Sequence, residues 1–439
     1  MEKVNIIGAG LAGCEAAWQL HLRGIPVRLV EMRPHKMTDA HVSANFAELV
    51  CSNSLRSDDL ANAVGLLKEE LRLLDSLIMC CADSNKIAAG SALAVDREGF
   101  SDMVTSKIKS ARNIEVVIEE ATEIPEGEVI IASGPLTSDR LATEIQELCS
   151  AEFLNFYDAA APIVTVESID MESAFFASRY DKGTADYINC PLTKNEYLLF
   201  WKELCSADQA EMHGFEDSGV FEGCIPVEVL ARRGEDTLRY GPLKPVGLVD
   251  PRTGEESYAV VQLRRDNKEG TIYNMVGFQT HLKFSEQKRV FSLIPALKDA
   301  EFMRYGVMHR NTYLNSPKLL DAYYRLRANP RICFAGQITG VEGYVESVAS
   351  GMLAGMELAA RLTKNKTYGF PRSTAIGALA NYVSSSCAGN FQPMNINYGI
   401  MEPLGHKVKG KRNKNTEISM RALDIIRTYT SEERNEDYC

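Results

Sequence analysis

The chain opens on a short apolar run at 4–7, followed by the glycine-rich stretch GAGLAG at 8–13. Residues 14–22 carry helical periodicity and 27–30 form a second extended apolar run. Strand, glycine turn, helix and strand in that order predict one βαβ unit. Leu66, Leu67, Leu71 and Leu74 recur at helical spacing and predict a helix over 62–77. The polar, irregular run 47–56 before it predicts a loop near a nucleotide crevice. Segments 113–118 and 128–132 read as strands, the second halted by Ser133, Gly134 and Pro135.

From about 150 to 325 the texture changes to short β-rich runs, such as 258–263 and 271–278, separated by Gly, Pro and charged turns. The βα texture returns at 332–335, then Gly336, then a helix over 345–362 with small residues (Ala349, Gly351, Ala354, Gly355) on one face. This predicts a discontinuous α/β domain formed by 1–145 and 326–439, interrupted by a β-rich insertion at 146–325. Lys407, Lys409, Lys411, Arg412 and Lys414 form a basic run before a last helix at 418–429. No internal repeat is evident.

A chain of 439 residues with 45% hydrophobic and 24% charged residues is expected to fold as two or three soluble domains. With 48 Lys and Arg against 59 Asp and Glu, the net charge of −11 argues against adhesion to nucleic acid or anionic lipid over the whole surface. Local basic patches remain open. No apolar stretch long enough to span a membrane and no leader pattern appear, so no membrane partner is expected. The 11 cysteines are odd in number, scattered and without a CxxC pair. That fits neither a disulfide framework nor a metal site, and predicts a reducing cytoplasmic setting.

The candidate chemistry begins at the glycines. Gly8 permits the tight turn, Gly10 lets backbone approach a pyrophosphate, and Gly13 lets helix pack on strand, with Ala9, Leu11 and Ala12 completing the turn. Glu31 ends the second strand, where a carboxylate can accept hydrogen bonds from ribose hydroxyls, and Arg33 is either a further contact or an ordinary exposed arginine. The dinucleotide is FAD or NAD. Gly336 favours FAD, because a second strand–glycine–helix corner can cradle the far half of a long cofactor, and the helix after Gly343 can direct its positive end at a flavin. Two cysteines occupy loop-like settings, Cys51 in AELVCSNSLRS and Cys224 in FEGCIP; a thiolate is a strong nucleophile where a cation or helix terminus favours it. Cys190, in NCP, shows how little a loop position proves.

GAGLAGCEAAWQL, EMRP, FAELVCSNSLRS, LANAVGLLKEE, ALAVDR, FYDAAAPIV, FFASRYDKG, FEGCIPVEV, YAVVQLRRD, VGFQTHLK, YGVMHRNTYLNSP, FAGQITGVEGYVESVASG and NFQPMNINYG together resemble the folate- and FAD-dependent tRNA (uracil-5-)-methyltransferase family. They cover nearly the whole chain. The N-terminal domain type is also similar to that of the larger flavoprotein that modifies tRNA wobble uridine; the shorter length and the FAELVCSNS and FEGCIP segments favour the methyltransferase.

The resemblance implies an α/β fold, a two-dinucleotide-type FAD-binding (Rossmann-like) domain with a smaller α+β insertion. It implies methylation of carbon 5 of a T-arm uridine in tRNA, with methylenetetrahydrofolate as one-carbon donor and FAD reduced by NADPH or NADH as electron source. Carbon 5 of uracil is a poor nucleophile until a thiolate adds at carbon 6, after which a base must remove the carbon-5 proton. Cys51 and Cys224 match the family's two functional cysteines. Cys224 is expected to add to the uracil, and Cys51 to assist near the flavin or as acid/base. His309 is the candidate for stacking on the pterin, Tyr344 for lying against the flavin, and Gln337 for bonding the ribityl chain where many such flavoproteins carry an acid. For RNA, the candidate patches are the 407–414 run, Arg232 with Arg233, and Arg264 with Arg265. The same chemistry on ribosomal RNA, a non-catalytic RNA-binding flavoprotein and a plain NAD(P)H oxidase are the rival readings.

Overall fold

The apolar runs assemble into a parallel sheet. Val4–Ile7 (β1) leads through the glycine turn into helix α1 (Leu11–Leu22), and Val27–Glu31 (β2) returns beside β1 with Val4 opposite Val27 and Ile7 opposite Val30. Strands Val129–Ile131 and Ile332–Phe334 extend the sheet beyond β1, and Ile114–Ile118 extends it beyond β2. Both strands beyond β1 are buried throughout, as expected of a parallel sheet covered on both faces. The computed structural model of the chain describes residues 2–38, 40–149, 154–159, 161–181, 184–210, 225–306, 308–364, 367–386 and 391–436.

Helix Tyr344–Lys364 lies against α1, and its small residues explain how closely. A Cβ at Gly351 would sit 2.2 Å from the Ala12 carbonyl oxygen, and one at Gly355 2.8 Å from that of Ala16. The small face is therefore a helix–helix contact that brings the first turns of both helices to the same end of the sheet.

Three elements differ from the sequence expectation. The helix expected at 62–77 is two, Ala63–Leu73 and Leu77–Ser84, because Asp75 takes a positive φ of 57° and Ser76 caps the second by accepting the Met79 N–H. The expected loop at 47–56 ends in a strand, Ser54–Ser57, paired with Ala92–Val95. The last helix spans Lys411–Glu436, so Lys411, Arg412 and Lys414 lie on its first turn instead of before it. Good helix formers without apolar marking are invisible to a periodicity search.

Buried carboxylates tie the helices together. Glu15 accepts from the Ser76 hydroxyl and the Ile78 N–H, and Glu70 accepts from the Ala375 and Ile376 N–H groups at the start of helix Ala375–Ser385. Each satisfies donors that a helix leaves open at its N-terminus.

A second hydrophobic cluster, drawn from residues between Ala161 and Ala300, is separate from the first. It lies under an antiparallel sheet in the order Phe175–Ala177, Tyr187–Leu192, Ala259–Arg265, Ile272–Met275, Ile163–Thr165, Phe302–Arg304, with helix Lys194–Ser206 packed on it. A two-stranded antiparallel ribbon, Leu154–Ala159 with Met308–Tyr313, connects this sheet to the parallel one. No helix among the described residues is long and apolar enough to cross a membrane.

Candidate active site

Both glycine turns open onto one cleft. Gly8, Gly10, Leu11, Ala12, Glu31 and Arg33 line it together with Gly336, Gln337, Tyr344 and Ser347, and the two turns come close, a Cβ at Gly336 falling 3.1 Å from that of Ala12. Gly8 has φ +101°, and a Cβ there would sit 2.6 Å from the Ala132 carbonyl oxygen; one at Gly13 would fall 1.9 Å from that of Gly8. At Gly10 a Cβ would meet nothing within 4 Å. The first two glycines are thus dictated by packing, and the third by space in the cleft. Helix α1 starts at this point with neither a side-chain cap nor an acidic residue in its first turn, leaving its N–H groups for an anion. A cleft walled by two glycine turns, with a bare helix N-terminus in its wall, fits a dinucleotide such as FAD.

Glu31 is held more tightly than expected. Its carboxylate accepts from the Ala9 N–H (2.8 Å), the Arg33 N–H (3.0 Å) and Arg33 Nε (2.9 Å). Burial opposes its ionisation, but Arg33 prevails and holds the carboxyl below its ordinary range. Arg33 is not an exposed arginine: it is 2% exposed and also faces Glu48 at 3.4 Å. Glu48 in turn accepts from the Val42 and Ser43 N–H groups, shaping the loop that brings Thr38 and His41 to the cleft. Gln337 donates to Glu342 (2.7 Å), and Gly336, at φ +82°, donates its N–H to Ser350.

The Tyr344 hydroxyl accepts from the backbone N–H groups of Cys51 (2.8 Å) and Ser52 (3.1 Å). This fastens the Cys51 loop to the first turn of helix Tyr344–Lys364. Arg56 adds an ion pair to the buried Glu346 one turn on. From the antiparallel sheet, Arg264 donates to Ser52 Oγ (2.7 Å) and Asn53 Oδ1 (3.2 Å), while Asn53 donates to the Val95 and Arg265 carbonyls. Arg97 donates to the Leu49 carbonyl and makes a two-pronged bond to Asp266. Arg97 and Arg264 thus grip the residues on either side of Cys51, and Arg304 reaches the Ala40 carbonyl at 3.5 Å. Burial, and then Arg97, depress the charged forms of Arg264 and Arg304, whereas Asp266 outweighs burial at Arg97. Positive charge of this kind promotes a thiolate.

Among the other described thiols, the buried ones behave as small hydrophobes. Burial raises Cys14 and Cys205 above the ordinary thiol range, Cys149 to about 11, and Cys81 and Cys190 to about 12. Cys190 is fully buried, so its loop-like sequence setting was misleading. Cys224 lies outside the described residues, but the chain on either side is anchored together: the Ala210 N–H donates to the His281 carbonyl and the Val227 N–H to that of Gln279. His309 pairs with Asp158 across the connecting ribbon, and its side chain lies outside the described residues.

The expected Arg264–Arg265 patch is not a nucleic-acid surface: Arg264 is 8% exposed and spent on the Cys51 loop. Lys407, Lys409, Lys411, Arg412 and Lys414 are all exposed, with Arg412 paired to Asp59 at 3.0 Å. Sequence reading missed Ser133, Gly134, Thr137 and Ser138, which line the cleft, although the SGP stop after an apolar strand was the available signal. It also missed the roles of Arg97, Arg304 and Asn53, which depend on long-range contacts.

A protein-family profile described as Glucose inhibited division protein A matches residues 3–366. The Methylenetetrahydrofolate–tRNA-(uracil-5-)-methyltransferase TrmFO of Acetivibrio thermocellus is 62% identical over 98% of this chain and 99% of its own length. The protein of that name from Lactobacillus gasseri is 57% identical over 99% of each. Among solved structures, Aquifex aeolicus GidA, in its form II crystal, superposes with TM-score 0.69 at 13% identity, covering 98% of this chain and 73% of that one, which supports the α/β fold. Identity of this extent over the full chain leaves one assignment: the chain belongs to the Glucose inhibited division protein A family and, within it, to the folate- and FAD-dependent tRNA (uracil-5-)-methyltransferases.

Proposed function

We propose that the protein methylates carbon 5 of a T-arm uridine in tRNA, taking the one-carbon unit from methylenetetrahydrofolate. The observation that carries this is the joining of a dinucleotide cleft to a cysteine loop through one side chain: Tyr344 lines the cleft and holds the Cys51 backbone. FAD, reduced by NADPH or NADH, would supply the electrons that bring the transferred carbon to the methyl level. Gly8, Gly10, Leu11 and Ala12 would face its pyrophosphate, Glu31 with Arg33 one ribose, and Gly336, Gln337 and Tyr344 its far half.

The chain's own residues supply the rest. Cys224 adds to carbon 6 of the uracil, placing enolate charge on the ring and making carbon 5 nucleophilic. Once the one-carbon unit is attached, a base removes the carbon-5 proton and the Cys224–carbon-6 bond breaks to restore the ring. Cys51, whose loop Arg97 and Arg264 hold, is our assignment for that acid/base work beside the flavin. His309 would cover the pterin. The exposed run Lys407 to Lys414 offers phosphate contacts, whose share of the affinity depends on salt.

The test is nucleoside mass spectrometry after incubating the purified protein with NADPH, methylenetetrahydrofolate and unmodified tRNA or ribosomal RNA. We expect 5-methyluridine in tRNA. Product in ribosomal RNA alone would move the substrate, and no product from FAD-loaded protein would overturn the assignment. Cys224→Ala should abolish methylation with FAD still bound.

A further inference from the structure

The inserted sheet carries a ladder of aromatic rings that nothing in the cofactor site uses. It is rooted in the core, where Phe278 meets Phe291 edge-on at 5.3 Å and Phe291 meets Phe302 at 6.4 Å. From Phe302 outward the geometry changes to parallel stacking: Phe302 and Tyr305 lie 5.3 Å apart at 13°, and Tyr305 and Phe284 4.9 Å apart at 15°. Phe284 ends the ladder, 54% exposed. Single exposed aromatics are ordinary on protein surfaces. Three near-parallel rings in offset stacks, with the last member exposed, offer a flat apolar face of the kind on which a base stacks.

The ladder is held in place before anything binds. Gln287, on the helix that starts at Phe284, donates to the Gly306 carbonyl and accepts the Gly306 N–H, both at 2.8 Å. This double bond of side chain to backbone locks the Phe302–Tyr305 strand end to the Phe284 helix. The charge around the ring is largely paired: Lys283 faces Asp208 at 3.5 Å, Arg289 is shared between Glu286 (2.8 Å) and Glu203, and Lys288 is exposed on the same helix, so the ring and not a basic patch would supply the binding. Arg304, inside the ladder strand, reaches the Ala40 carbonyl at 3.5 Å, while His281 and Gln279, just before Phe284, accept from the Ala210 and Val227 N–H groups.

We propose that Phe284, backed by Tyr305 and Phe302, is a stacking platform for an unpaired base of the tRNA, holding the strand beside the target uridine once that uridine has been flipped from its loop. Base-on-aromatic stacking tolerates any sequence and adds to phosphate contacts without changing the count of charges. The inference rests on tRNA being the substrate.

The experiment compares wild-type holoenzyme with Phe284→Ala, Phe284→Leu and Phe284→Trp, reading tRNA Kd by fluorescence anisotropy across a salt series, with KM for tRNA and for methylenetetrahydrofolate. Flavin content and circular dichroism confirm that each variant is folded. Loss of the ring should weaken tRNA binding roughly tenfold in both Phe284→Ala and Phe284→Leu, within the range for removing one base stack. The slope of log Kd against log salt should stay unchanged, because no cation is lost. Phe284→Trp should restore wild-type binding, and kcat should stay near the wild-type value in all three. Unchanged tRNA affinity in folded Phe284→Ala would overturn the platform, as would a defect that falls on the folate KM instead, which would place the pterin on the ring. A wild-type enzyme that fails to methylate tRNA at all would instead sink the proposed function, so the two failures are distinguishable.

Discussion

Tyr344→Phe isolates the link between the cofactor cleft and the Cys51 loop. The substitution keeps the ring and deletes one oxygen, which is the acceptor for two backbone N–H groups at 2.8 and 3.1 Å. A buried donor left without a partner costs about 1–3 kcal/mol. Cys51 and Ser52 are only half-buried, so water recovers part of this and the lower end applies to each. Together they lose about 2 kcal/mol of local stability, which corresponds to opening roughly 30-fold more often. The loop should not detach, because Arg97 still holds Leu49 and Arg264 still holds Ser52 and Asn53. The effect should therefore appear in hydrogen–deuterium exchange of the peptide spanning 49–54, about 30 times faster in the variant, with the global denaturation midpoint and flavin content unchanged. Alkylation of Cys51 should change in parallel. Exchange at that peptide equal to wild type would refute the fastening role of the hydroxyl.

The last two glycines of the turn should fail in different ways: Gly13→Ala should not yield folded protein, its Cβ falling 1.9 Å from the Gly8 oxygen, whereas Gly10→Val should fold and lose bound flavin, seen as a normal unfolding curve with a bleached visible spectrum. Glu70 gives a pH signature: burial outweighs its two N–H bonds and raises its carboxyl from 4.5 to about 8. The native state then keeps a proton that the unfolded chain has released, so this contribution is whole below pH 4.5 and is lost as pH rises to about 8, at up to about 1.4 kcal/mol per pH unit. Urea midpoints between pH 5 and 8 should slope less in Glu70→Gln than in wild type. Neutralising Lys407, Lys409, Lys411 and Lys414 together should flatten the salt dependence of tRNA binding by about 0.7–0.9 per lost phosphate contact, while Arg412, already paired to Asp59, should contribute least.

The parallel sheet was legible because its strands are short, apolar and punctuated by glycine, signals that survive without tertiary context. Glu31 and Gly336 were legible as neighbours of one cleft for the same reason: each lies at the carboxyl end of a parallel strand, Glu31 as its last residue and Gly336 just beyond it. What the sequence could not show was where charge would be spent. Arg33 was open between a cofactor contact and an exposed arginine; it lines the cleft, buried between Glu31 and Glu48, whereas Arg264 looked like half of a basic patch and is a strut under the Cys51 loop. The second error comes from treating an arginine next to other polar residues as solvated, when its partner lies in another segment. The helix break at Asp75 was hidden because Leu74 keeps the leucine spacing into the turn.

The surroundings of Cys51 are hard to explain by stability alone. Guanidiniums from three segments hold the backbone and side chains around it, Arg97 at the Leu49 carbonyl, Arg264 at Ser52 and Asn53, and Arg304 at the Ala40 carbonyl, with Asp266 as the counter-charge to Arg97. Burying cations without matching anions costs free energy, and apolar packing of the same volume is usually no less stable. A fold selected only to join the two sheets would have no use for the excess. Arg264 and Asp266 come from the antiparallel sheet and the turn after it, Arg97 from the helix after strand Ala92–Val95, and Tyr344 from the helix that follows the parallel sheet. The groups that hold the Cys51 loop thus come together only where the two sheets meet, and neither half of the chain supplies them all.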